Sequence, residues 1–266
     1  MSKYYYMADC VRRLLQVLDK VEVMNVRQAM CINNNNPLAR GAYRKAVFDG
    51  YAFFTADKKY IIKQPWRKPN KYVDRAIDVM LAFLPSMNLD TDAIYVSPRL
   101  YKDENGKYTR DGVHGNKNRL LLGFTRLTKN YEVYYVNDKD AFENLGDYLN
   151  EEYASYLKVN GVEHANNLRY LILVPNDSYF VYQIKNARFP YAYCIRKEGK
   201  DQRGFDVVDI DFYIPENGGL ANEEFISEFE QNEGEEEGED GSTPPNSNLP
   251  EENDDDDELF SFLEEM

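Results

Sequence analysis

Four consecutive asparagines, Asn33, Asn34, Asn35 and Asn36, run straight into Pro37. Asparagine tolerates left-handed backbone and makes local turn hydrogen bonds, so the run reads as a turn. Asn36 suits the cap of a following helix. Pro37 suits its first position, where a missing N–H costs nothing. The chain on either side is thereby cut into short pieces. Before the turn, Val26, Met30 and Ile32 mark the core side of a short helix, with Asn25 as its N-cap. After it, Leu38, Ala42, Ala46 and Val47 give an inward face to a helix over 37–49, stopped by Gly50. The runs 51–54 and 60–63 are β-rich and flank the polar residues 55–59, which predicts a hairpin. Upstream, Val11, Leu14, Leu15 and Leu18 make one apolar stripe on a helix over 8–20.

Charge gives this stretch its meaning. The net charge of −14 argues against a nucleic-acid partner when taken whole. Yet 19 of the 46 acidic side chains fall in residues 223–266, which carry no basic one. The rest of the chain holds 27 acidic against 32 basic groups. Residues 1–75 hold 15 Lys and Arg against 6 Asp and Glu. A helix, turn, helix and hairpin in a basic head is the plan of a winged helix-turn-helix. On that plan the 37–49 helix enters the major groove of duplex DNA and the hairpin tip touches its backbone. Arg40 and Arg44, one turn apart, are the candidates for base contact, because arginine pairs bidentately with guanine. Lys45, Lys58, Lys59, Arg67 and Lys68 are the phosphate candidates. Two blander readings stand beside this one: a winged helix that docks protein, and a helical subdomain with solvated basic faces.

The expected fold class is α+β. A winged helix-turn-helix domain (1–64) leads through a linker (65–71) to an α/β domain with a mixed sheet (72–222). An acidic tail (223–266) follows. The two prolines Pro65 and Pro69 bias the linker to an extended form, and Trp66 is expected to pack between the domains. A helix over 72–84 puts Val73, Ile77, Met80, Leu81 and Leu84 on one side. Strands are expected over 93–97, 119–126, 131–137, 168–174, 179–184, 191–195 and 205–213. A helix capped by Asp138 turns Phe142, Leu145, Leu149 and Tyr153 inward. The apolar run 168–174 reads as a central strand.

Helix, three strands, helix, strand is also the core order of the restriction-endonuclease-like fold. Enzymes of that fold carry an acid on the second strand and an acid-x-Lys pair on the third, where they hold Mg²⁺. Here Glu132 is followed by Val133 and Tyr134, and the preceding strand has no acid, so the nuclease chemistry is expected to be missing. The layout, with the patterns LLQVLDKVEVMNVRQ, YRKAVFDGYAFF and YIIK, resembles the winged-helix proteins of bacterial plasmids and conjugative elements, of the replication-relaxation kind. That resemblance implies a DNA-binding accessory or regulatory protein of a mobile element, not an enzyme.

Other chemistry is thinly supported. Asp209 and Asp211 share a strand face, but no phosphate-binding turn precedes them. His114 and His164 lack partners at zinc-ligand spacing. No P-loop or dinucleotide-binding glycine pattern occurs. No cofactor and no metal are expected. Three scattered cysteines suit a reducing compartment, and no signal peptide or membrane span is read, so the expected location is the cytoplasm.

The tail loses its apolar residues from about position 228 and is expected to be disordered. Its end differs: the acidic run 254–258 leads into Leu259, Phe260, Phe262 and Leu263, which read as a docking motif for a protein partner or a competitor for the basic head. The middle is expected to dimerise or to dock a partner. The rival reading is an interaction adaptor that recruits partners through this tail and never meets DNA.

Overall fold

Helix α1 (Asp9–Val21) buries Val11, Leu14, Leu15 and Leu18, as their spacing predicts, with Val17 and Val21 beside them. It ends at Glu22, which turns left-handed while its N–H reaches Leu18 O at 2.8 Å. In this computed structural model the described residues are 7–32, 41–96, 100–102, 108–110, 120–136, 139–176, 184, 187–200, 204 and 206–215.

A short strand, β1 (Val23–Asn25), follows α1 and has no counterpart in the sequence reading. It is too short to show a two-residue period, and its existence depends on a partner distant in sequence. Asn25 closes it and at once caps α2 (Val26–Cys31). The Asn25 side chain accepts from Gln28 N, and the Gln28 side chain accepts from Asn25 N, a reciprocal capping box. The core side of α2 is the expected one only in part: Ile32, just past its end, is buried as expected, but Gln28 and Ala29 are buried too, whereas Val26 and Met30 are half-buried. Gln28 tolerates burial because its amide is satisfied: Nε2 donates to Asp74 O at 2.7 Å and to Asp78 Oδ1 at 2.9 Å.

Helix α3 (Ala42–Phe48) packs on α1 and α2 through Ala42, Tyr43 and Ala46. Val47, expected inward, is half-buried, because the buried Tyr43 ring takes the inward position beside Phe54. The asparagine turn, Pro37, Leu38 and Arg40 lie outside the described residues. Gly50 adopts φ +76°, the conformation a stop after α3 requires. Strands β2 (Phe53–Phe54) and β3 (Tyr60–Ile62) form the expected hairpin. Strand β1 adds to its other side, giving the order β1-β3-β2, all antiparallel.

Asn70 caps α4 (Lys71–Phe83) by accepting from Tyr72 N at 2.9 Å. A 3-10 turn containing Pro85 ends it. Val73, Ile77, Met80 and Leu84 are buried as expected; Leu81 is half-buried, and Asp78 is buried instead. Strands β4 (Ile94–Val96), β7 (Leu120–Arg126), β8 (Lys129–Tyr135), β9 (Leu168–Val174), β10 (Tyr191–Lys200) and β11 (Asp206–Tyr213) form one mixed sheet in the order β11-β10-β9-β8-β7-β4. β8, β9 and β10 run parallel, and the other neighbours are antiparallel. Every residue of β9 is buried, as befits a central strand covered on both faces. A separate antiparallel pair joins β5 (Leu100–Lys102) and β6 (Tyr108–Arg110).

Helix α5 (Lys139–Asn160) covers one face of the sheet with Phe142, Leu145, Leu149 and Tyr153, all four buried against Tyr134, Tyr170, Ile172, Tyr191 and Tyr193. Helix α4 covers the other, where Phe83 meets Phe124, Tyr131 and Phe212. Several of the tyrosines are core rings packed edge to face, among them Tyr134, Tyr153, Tyr170, Tyr191 and Tyr193. The chain is therefore an α+β protein with a six-stranded mixed sheet and, among the described residues, five α-helices.

Head and sheet are joined by polar contacts as well as packing. Arg13 donates to Ile32 O and to Leu84 O, and Lys20 Nζ to Leu89 O and Asp92 O. Asn25 Nδ2 donates to Asp74 Oδ1 at 2.8 Å. Residues Met1–Glu228 form one compact unit, and residues 229–266 lie outside the described residues. Trp66 does not pack between head and sheet; it is 70 % exposed. The place it was expected to fill is taken by the contacts of Asn25, Arg27 and Gln28 with α4.

Candidate nucleic-acid interface

The outward side of α3 follows from its inward side. With Ala42, Tyr43 and Ala46 turned to the core, Arg44, Lys45 and Phe48 face solvent. Arg44 Nε donates to Tyr43 Oη at 3.2 Å, and its guanidinium lies 5.8 Å from that ring. This holds the arginine along the helix. Lys45 Nζ is 2.9 Å from Asp49 Oδ1, an exposed i,i+4 pair that a competing phosphate displaces at little cost.

The hairpin tip is a built turn. Thr55 Oγ1 donates to Asp57 Oδ1, the Lys59 N–H donates to the same carboxylate, and Thr55 Oγ1 accepts from Tyr60 N. The Thr55 and Lys59 hydrogen bonds hold the Asp57 carboxyl below its ordinary range. Lys58 takes a left-handed conformation, φ 54°, so two consecutive lysines project from the tip. Among the described residues, Lys58, Lys59 and Lys68 form no ion pair. Arg67 is paired with Glu22 at 2.7 Å.

The predicted cations therefore fall in three places: Arg44 and Lys45 on α3, Lys58 and Lys59 at the tip, and Arg67 and Lys68 past β3. Arg40 lies outside the described residues, as do Leu259, Phe260, Phe262 and Leu263 of the tail. The sequence reading missed the aromatic share of this surface. Phe48, Tyr51 and Phe53 are exposed together with Trp66. Their failure to fit the helical or strand core pattern was the available signal.

A second polar cluster sits in the sheet. Glu132 accepts from Tyr134 Oη at 2.8 Å and from Tyr95 Oη at 3.4 Å. Burial, opposed in part by these hydrogen bonds, raises its carboxyl above the ordinary value. Tyr95 reaches it by lying across Gly123, whose place in the β7 register is opposite both Tyr95 and Glu132. Asp209 and Asp211 are solvent-facing on the edge strand β11, and Lys197 pairs with Asp211. His164 lies in a 3-10 turn beside Asn167. Among the described residues no group of three or more potential metal ligands occurs, and no helix is long and apolar enough to cross a membrane.

Comparison with family models, curated proteins and solved structures gives no match for this chain.

Proposed function

We propose that this protein binds duplex DNA through a winged helix-turn-helix and acts as an accessory or regulatory factor of a mobile element. The observation that carries the reading is the joint placement of β1 and α3. The element order α1-β1-α2-α3-β2-β3, with β1 hydrogen-bonded to β3, is the order a winged helix requires. In that arrangement the solvent face of α3 is the groove-entering face, and it carries Arg44 and Lys45. The tip lysines Lys58 and Lys59 then meet backbone phosphates. Three cysteine thiols suit the cytoplasm.

The middle domain is read as a scaffold of nuclease-like layout. Strands β4, β7, β8 and β9 belong to one sheet, with β8 and β9 parallel, and in chain order α4 precedes β4 while α5 falls between β8 and β9. That supports the likeness in element order. Where the nuclease pattern asks for lysine, Tyr134 stands and donates to Glu132; where it asks for an acid on the preceding strand, Gly123 stands. These residues favour a positioning role over metal-assisted hydrolysis.

Selection from a randomised duplex library tests the proposal. The full chain is expected to enrich a guanine-containing site, and Arg40→Ala or Arg44→Ala to relax preference at one position by about 1–3 kcal/mol. Failure to enrich any sequence, together with no retention of duplex, would remove the reading.

A further inference from the structure

Four of the exposed large hydrophobic side chains fall between residues 48 and 66: Phe48 (77 %), Tyr51, Phe53 and Trp66 (70 %). A single exposed ring needs no explanation, but these four all lie in β2 or on the segments that enter it and leave β3, at one end of the small sheet. Phe53 pairs with Ile62 at the base of the hairpin, the end opposite the Lys58 and Lys59 tip. Phe48 and Tyr51 lead into it, fixed by Gly50 N to Val47 O (2.9 Å) and Tyr51 N to Ala46 O (2.9 Å). Trp66 follows just past the same end of β3. Its segment is tied down by Lys63 N to Glu22 O (2.8 Å) and by the ion pair of Arg67 with Glu22.

Cations accompany the rings. Lys45 Nζ lies 5.8 Å from the Phe48 centroid, and Arg67 and Lys68 follow Trp66. Protein-interface cores are enriched in aromatic residues and arginine but depleted in lysine, and here Lys45 and Lys68 stand beside the rings. A fully paired duplex offers phosphates and base edges, but its ring faces are spent in the stack. Exposed aromatic rings beside cations match a different ligand, a strand whose bases are unstacked and whose phosphates run past the cations.

We propose that the hairpin base of the head binds unpaired nucleobases, holding a single-stranded segment by stacking on Phe48, Tyr51, Phe53 and Trp66. This rests on the nucleic-acid reading above and extends it from paired to unpaired DNA.

Trp66 is the only tryptophan of the chain, so its emission reports on this surface directly. The full chain is titrated with a thymidine oligonucleotide, a duplex of equal length, and that duplex with a central unpaired bubble. The bubble is expected to bind roughly tenfold tighter than the plain duplex, and the oligonucleotide to quench Trp66. Phe53→Ala and Phe48→Ala are expected to lower the bubble-to-duplex affinity ratio several-fold. Duplex binding without bubble preference and without change in Trp66 emission overturns the inference and leaves the duplex reading standing. Binding to none of the three overturns both. A dimer in sedimentation that Phe48→Ala dissolves, with emission blind to the oligonucleotide, assigns the rings to a second copy instead and also overturns it. The wild-type titrations decide the matter even where a variant fails to fold.

Discussion

Arg27 of α2 donates to Asp78 Oδ1 at 2.5 Å, while Arg196 of β10 holds the other oxygen, Oδ2, at 2.6 Å. Asp78 itself is only 3 % exposed, on α4. One carboxylate thus clamps the head, the helix beneath it and the large sheet. Gln28 adds a third donor to Oδ1, so the buried charge is well satisfied. Removing it leaves two arginines with little access to water.

Asp78→Ala is therefore expected to cost about 3 kcal/mol of stability. Chemical denaturation measures this. In the Asp78→Ala background, Arg27→Ala and Arg196→Ala are expected to lose most of their own effects, because all three share one site. Additive losses would show that the clamp is not a unit.

Glu132 predicts a pH dependence. Burial raises its carboxyl in the folded protein, against the hydrogen bonds of Tyr134 and Tyr95; the Glu152 charge adds to the rise. Below about pH 4.5, the ordinary value, the group is protonated whether folded or unfolded and costs nothing. As pH rises towards the raised folded value, the unfolded chain ionises first and stability falls. Glu132→Gln is expected to be more stable than wild type at pH 7, and the margin to close towards pH 4. A margin independent of pH would contradict this.

Gly123 carries the Tyr95 ring. A Cβ at Gly123 would stand 2.0 Å from Tyr95 Cζ, so Gly123→Ala must push the ring away from Glu132. The expected cost is about 1–3 kcal/mol, read as a shift in thermal melting. In a Tyr95→Ala background the same substitution is expected to be nearly neutral. An equal cost in both backgrounds would place the strain elsewhere.

Asn25 closes β1, caps α2 and touches α4 through Asp74. Asn25→Ala is expected to lose about 1–2 kcal/mol. Hydrogen exchange should rise first in α2. Protection unchanged in α2 would mean that packing, not the cap, holds that helix.

Much of this architecture could be read from periodicity. The stripe of α1 and the four inward residues of α5 declare their elements through local spacing, because each buries one continuous face, and β9 declares itself by an unbroken apolar run, because both its faces are covered. What escaped is non-local. β1 is three residues long and exists through pairing with β3. Gln28 and Asp78 fall outside any apolar pattern, and their burial depends on partners distant in sequence. Trp66 read as a buried linker residue because tryptophan is usually covered, yet polar contacts fill the junction. At the candidate interface the cations were legible from charge clustering, whereas the aromatic cluster around Phe48 and Phe53 depends on where the hairpin base falls.

Equilibrium binding of the full chain to duplex DNA across a salt series tests the central claim most directly. Log affinity is expected to fall linearly with log salt, with a slope of about −0.9 per phosphate neutralised. Lys58→Ala/Lys59→Ala is expected to make that slope shallower by about 2, and Arg44→Ala to weaken binding further. Absence of binding at any salt, or an affinity and slope untouched by these substitutions, would contradict the assignment of α3 and the hairpin tip as the DNA-binding surface.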